Sequence, residues 1–147
     1  MLSQDKPIIS FASITHELIK VSFNKLNNVA TQYQISIENT LSTKSVSEEG
    51  FTIKAVRTLS FEPIGAFEIT VEFDIICKFK QESVEYYKGN LNEITAFIEK
   101  RKVEIFNSIE VGNLMSIIMS QLTLTNNYKS IVIPPFIEDK KQNKTVE

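Results

Sequence analysis

From Phe67 to Phe79 every odd position is apolar, while the even positions carry Glu68, Thr70, Glu72, Asp74, Ile76 and Lys78. Alternation with period two predicts a strand with one face on a core and the other in water. It also predicts an antiparallel sheet, because parallel strands covered on both faces read as unbroken apolar runs. Upstream, residues 51–61 repeat the pattern with Phe51, Ile53, Ala55, Leu59 and Phe61 in phase and Arg57 breaking it. Glu62-Pro63-Ile64-Gly65 supplies turn chemistry between the two, so they read as a hairpin. Two further strands are predicted. One is Tyr33–Ile37, with Tyr33, Ile35 and Ile37 on one face; in the other, His16–Phe23, Ile19, Val21 and Phe23 alternate with Lys20 and Ser22. The polar stretch Thr40–Gly50 reads as a loop.

After Gly89 the period changes. Leu91, Ile94, Phe97 and Ile98 take helical spacing, with Asn90 or Asn92 placed to cap the start. A longer helix is predicted from Lys102 to Leu122, carrying the stripe Leu114, Ile117, Ile118 and Leu122. Gly112 inside it costs about 1 kcal/mol relative to Ala, which close packing against a neighbour would offset. A polar bend at Thr125–Ser130, an apolar step at Ile131–Ile133 and Pro134-Pro135 follow. The order predicts an α+β domain: a four-stranded antiparallel sheet with one short and one long C-terminal helix packed on one face. Residues 1–8 and 138–147 read as flexible ends, the latter charged, around a single domain over 9–137.

Composition narrows the function. A chain of 147 residues can bury one core without staples. Its net charge of −2 offers no basic excess to phosphates, so nucleic acid is not an expected partner. The N-terminus lacks the charged, apolar and small-residue regions of a signal peptide, and no apolar run reaches the length of a spanning helix, so the expected address is the cytoplasm without membrane insertion. With one cysteine and one histidine, no Cys/His metal site assembles within one chain. His16 has only Glu17 beside it, and Cys77 lies in phase with the inward face of its strand, where a thiol behaves as a small hydrophobe. Phosphate-cradling glycine motifs and calcium loops are absent, and Glu48-Glu49 reads as a solvated pair. The expectation is a binding domain and not an enzyme.

The order and spacing of the segments resemble the SecB family of export chaperones. FASITHELIKVSF precedes YQISI, then FTIKAVRTLSFEP and GAFEITVEFDIICKFK form a central hairpin, and NLMSIIMSQLTLTNNYKSIVIPPFI closes the chain. Together these cover most of Ile9–Ile137. The resemblance implies dimers that pair into tetramers through the long helices. It also implies capture of unfolded client segments in an apolar groove between helix and sheet, with neither ATP nor cofactor. Placed on this sequence, the groove would draw on Tyr86, Tyr87, Leu91, Ile94, Phe97 and Ile98 around the first helix, and on Phe106, Ile109 and Phe136 flanking the long one. An apolar helical stripe is usually core or subunit interface. Met115 and Met119 suit either a promiscuous surface or a dimer interface. By the same resemblance, Glu68, Glu72 and Asp74 look like an acidic face docking the translocation motor SecA, and a solvated strand face is the plain alternative. Implied partners are unfolded polypeptides, with SecA or a dedicated toxin–antitoxin pair as specific ones. An adaptor holding one folded partner, or a small-molecule site converging on His16, are the other readings.

Overall fold

The computed structural model describes residues 9–26, 34–62, 67–126, 135 and 137. Four strands, β1 (Phe11–Lys25), β2 (Gln34–Ser47), β3 (Gly50–Glu62) and β4 (Phe67–Phe79), precede three helices, α1 (Gln81–Tyr86), α2 (Leu91–Ser108) and α3 (Val111–Thr125). All strand pairs are antiparallel and the order is β1-β4-β3-β2, which leaves β1 and β2 as edges. The α+β expectation therefore holds: a four-stranded antiparallel sheet followed by C-terminal helices that pack on it.

The two central strands supply the core because every odd position of both, over 51–61 and 67–79, is buried. Ile53, Leu59, Ile69, Val71 and Ile75 are fully buried, and Ile94 and Ile98 of α2 and Val111, Met115 and Met119 of α3 close over them. Each such aliphatic side chain contributes about 1.5–3 kcal/mol by leaving water. Met115 and Met119 are thus core in this chain. Arg57, which breaks the apolar phase in sequence, keeps it in space: it points into the core and is fully buried. Its Nε donates to Asn39 Oδ1 (2.7 Å), and its Nη1 donates to Ser116 Oγ (3.0 Å) and the Gly112 carbonyl (3.4 Å). The guanidinium also lies over the Phe106 ring, 5.8 Å from its centroid. One side chain therefore ties β2, β3, α2 and α3 together.

Three expectations are corrected. Thr40–Gly50 is not a loop: β2 runs to Ser47 and only Glu48-Glu49 turn before β3. Its second half is stabilised by backbone pairing with β3, and a bulge at Lys44 shifts Val46 out of simple alternation with Leu41 and Thr43. In β1, Ile19 does not share a face with Val21 and Phe23. It is the extra residue of a bulge between Leu18 and Lys20, and a second bulge falls at Ala12. The helix predicted over Lys102–Leu122 is broken: α2 ends at Ser108, Ile109 is extended, and α3 starts at Val111. An unbroken helix over both would run about 50 Å, whereas the elbow folds α3 back onto the sheet. Gly112 permits the elbow, since a Cβ there would collide with the Pro135 carbonyl and stand 3.1 Å from Phe106 Cε1. The short α1 has no periodic signal in six residues. Asn90 stands at the start of α2, but its side chain makes no capping bond. Tyr33, the turn after Glu62 and the apolar step Ile131–Ile133 lie outside the described residues.

One end of the sheet is clamped to the helical layer. The Phe79 N–H donates to the Glu49 carbonyl and the Lys80 N–H to the Ser10 carbonyl, both at 2.9 Å, while the Ser10 N–H donates to Ser83 Oγ at 3.0 Å. Glu48 Oε2 accepts from the Gly89 N–H at 2.9 Å. Gly89 has φ 76°, a left-handed conformation that glycine adopts without strain. These contacts fix where α2 begins relative to β1.

Candidate functional site

A cleft of about 640 Å³ lies along one flank of α2, between it and the start of β1. Its lining from α2 recurs at helical spacing: Glu93, Phe97, Lys100, Glu104 and Ser108, with Ala96, Arg101 and Ile105 beside them. The opposing wall is Ile9, just before β1, with Phe11 and Ile14 of that strand, and Tyr86 and Tyr87 close the end at the α1–α2 connection. The floor is aromatic. Phe11 stacks on Phe79 (centroids 5.8 Å apart), meets Phe51 edge-on (5.9 Å) and approaches Phe97 (6.5 Å), while Tyr86 and Tyr87 contact edge to face at 4.7 Å. Such arrangements are the favoured geometries of ring quadrupoles and make the floor stiff.

The rim is charged but balanced. Arg101 and Glu104 neutralise each other at 2.7 Å, one turn apart on α2. Glu93 borders the opposite end, and burial, followed by the nearby Tyr86 and Glu93, pushes the Tyr87 phenol above its ordinary range. Chemically, the arrangement offers apolar contact with polar edges. Among the described residues no group of three or more potential metal ligands converges anywhere. His16 is exposed on β1, opposite Ile75 and edge-on to Phe73 at 5.9 Å. Cys77 is buried, and burial pushes its thiol up to about 12.

The structure sorts the residues singled out from sequence. Tyr86, Tyr87 and Phe97 come together in the cleft. Ile94, Ile98 and Phe106 belong to the core beneath α2, Leu91 is exposed, and Ile109 is half-buried at the elbow. Phe136 lies outside the described residues. Ile9, Phe11, Ile14, Ala96 and Ile105 were not legible as site residues. The bulge at Ala12 puts Phe11 and Ile14 on one face at a spacing of three, which neither helical nor strand periodicity flags. The α2 flank at 93, 97, 100, 104 and 108 was available as a stripe, but its mixture of charge and apolar surface hides it.

Glu68, Glu72 and Asp74 share the sheet face away from the helices, and two of the three are engaged. The Lys44 bulge sends that side chain across β3 to Asp74 Oδ2 at 2.6 Å, and Lys54 stands 3.9 Å from Glu72. The hydrogen bond to Asp74 holds the Lys44 ammonium above its ordinary range. Asp74 is only 6% exposed, so this face presents interleaved and not purely acidic charge.

No family model matches the chain, and no curated protein matches it. Among solved structures it is similar to the SecB-like chaperone Rv1957 of Mycobacterium tuberculosis, solved in complex with a ChAD peptide from the HigA1 antitoxin. Identity is 8%, 88% of each chain is covered and the TM-score is 0.47. No helix among the described residues is long and apolar enough to cross a membrane.

Proposed function

We propose that this chain is an ATP-independent, SecB-like holdase that binds unfolded or preprotein segments in the cleft along α2. The observation that carries the reading is the cleft itself: a stiff aromatic floor, open to solvent and bordered by balanced charge, beside an edge strand. Ordering two or three large client side chains there contributes about 5–8 kcal/mol before the entropic cost of immobilising the client. One cleft therefore holds a segment weakly. Several clefts on one assembly engaging one long chain raise the avidity sharply.

Self-association is part of the proposal. α3 carries no charged residue in its 15 positions and exposes Ile117 (49%) and Leu124 (54%) opposite its core face. An uncharged helix face that mixes the exposed Ile117 and Leu124 with Asn113 and Gln121 suits a subunit contact, which supports a homo-oligomer, a dimer of dimers built through α3. A dedicated client, such as one member of a toxin–antitoxin pair, and preproteins destined for export are the two client classes that fit such a holdase.

The test combines light scattering of the chain in solution with aggregation of a chemically unfolded client. A stable oligomer that suppresses aggregation without ATP supports the reading. The Ala96→Glu variant should lose that suppression with unchanged unfolding, because Ala96 lines the cleft and is exposed on α2. A strict monomer that leaves client aggregation unchanged overturns it. Capture of one folded partner at fixed stoichiometry, with no affinity for unfolded chains, replaces it with an adaptor.

A further inference from the structure

We infer that residues 138–147 fold back along α2 and lie over the mouth of the cleft, where they compete with client segments; the inference rests on the cleft being the client site. The structure fixes where that segment starts. Pro135 packs on Gly112 just past the elbow. The Ile137 N–H donates to Asn107 Oδ1 at 2.9 Å, and Asn107 Nδ2 donates to the Ile137 carbonyl at 3.1 Å. Both backbone groups of Ile137 are thus pinned, as a neighbouring strand would pin them, and its side chain packs against the core. From Pro135 to Ile137 the chain passes from the start of α3 to the last turn of α2. Continued in that direction, it runs along α2 toward its N-terminal end.

Asn107 stands in the cleft's own row. Lys100, Glu104 and Asn107 are spaced i, i+4 and i+7 on one side of α2, and the first two line the cleft. Four charged residues line it in all: Glu93, Lys100, Arg101 and Glu104. Arg101 and Glu104 pair with each other, whereas Lys100 and Glu93 have no ion-pair partner among the described residues. Residues 138–147 carry charge in the complementary order, with Glu138 and Asp139 first, then Lys140, Lys141 and Lys144. Lys100 lies about 10 Å along α2 from Asn107, and Glu93 about 21 Å. An extended chain advances about 3.3 Å per residue, so Asp139 comes within side-chain reach of Lys100, and about seven residues bring Lys144 level with Glu93. Acid meets base at one unpaired position and base meets acid at the other.

The segment has no aromatic residue and only Val146 as a large aliphatic one. It therefore covers the charged rim and leaves the aromatic floor unfilled. Exposed ion pairs stabilise little by themselves. Tethering at Ile137 compensates, because it holds the segment beside the flank at an effective concentration in the millimolar range. A client that inserts aromatic side chains displaces it. A cover in place about three-quarters of the time weakens the apparent client affinity about fourfold.

The experiment uses the full chain beside a full-length variant, Glu138→Lys/Asp139→Lys/Lys140→Glu/Lys141→Glu, which inverts the charge order at constant net charge. A zero-length carbodiimide cross-linker is applied to a mixture of light and isotopically heavy protein. It should join Lys100 to Glu138 or Asp139, and Lys144 to Glu93, within one chain only. Mixed light–heavy links would put the segment on a second copy and overturn the fold-back, as would the absence of any link to α2. A short peptide alternating phenylalanine and threonine, labelled with an uncharged dye, measures the competition. It should bind the variant about three- to fivefold more tightly than the parent at about 50 mM salt, and both proteins equally at about 0.5 M, where charges are screened within a few ångströms. Equal affinity at low salt overturns the competition while the cleft reading stands. If the peptide binds neither protein, the cleft reading itself falls and takes this inference with it.

Discussion

Replacing Arg57 with methionine tests the central tie between sheet and helices. Arg57→Met keeps most of the apolar stem over Phe106 and removes the guanidinium. The Gly112 carbonyl and the Ser116 hydroxyl, both buried, then lose a charged partner, and each such loss costs about 1–3 kcal/mol. Loss of the cation–π contact adds about 1–2 kcal/mol. Asn39 sits half-buried on an edge strand, so it can turn to water. Acting the other way, burial pushes the Arg57 pKa down, which marks a penalty for the charged form; removing a buried charge relieves several kcal/mol. The balance is a destabilisation of about 2 kcal/mol. It should appear as a fall of about 1 M in the urea midpoint at neutral pH, followed by far-ultraviolet circular dichroism. The triple variant Arg57→Met/Asn39→Leu/Ser116→Ala removes the stranded Ser116 hydroxyl and the Asn39 amide as well and should recover part of the loss, a non-additivity typical of residues in one network. If Arg57→Met alone is as stable as the parent protein, desolvation outweighs the network and the reasoning fails.

Gly112→Ala should destabilise by about 1–2 kcal/mol despite the better helix former, because collision with the Pro135 carbonyl forces the elbow open; thermal unfolding measures it. Cys77 has a folded pKa of about 12 against 9.0 for a free thiol, so its contribution is fully present below pH 9 and is lost as pH rises toward 12. The urea midpoint should fall more steeply above pH 9 in the parent protein than in Cys77→Ala, and the thiol should resist an aromatic disulfide reagent until the protein unfolds; equal slopes would contradict the burial argument. Lys44→Ala should lower stability at low salt and less so at high salt, because it leaves the buried Asp74 carboxylate without its bridge across β3.

Much of the fold is readable in the chain because burial of a central strand imprints itself on every second residue. Phe67–Phe79 and Phe51–Phe61 lie where their alternation puts them, and the change to helical spacing after Gly89 marks the start of α2. Edge strands carry no such imprint. Only one neighbour and one partly covered face constrain β2, so its polar second half looks like a loop although its backbone is paired to Ser47. Bulges then scramble the parity that remains, hiding Ile19 and the pairing of Phe11 with Ile14 in one wall.

The local rules of period and composition thus specify sheet, helices and the shortage of catalytic groups. Contacts between residues distant in sequence decide the rest. Arg57 reads as an interruption until Asn39, Gly112, Ser116 and Phe106 are brought around it from three other elements. The elbow between α2 and α3 is accommodated by the close approach of Gly112 to Pro135, a contact that local periodicity does not encode. The cleft is of the same kind. Tyr86, Tyr87 and Phe97 could be picked out from sequence, but Ile94 and Ile98, equally apolar and on the same helix, went to the core. Which flank of α2 stays open depends on where the sheet lies beneath it, and periodicity along one helix carries no information about that.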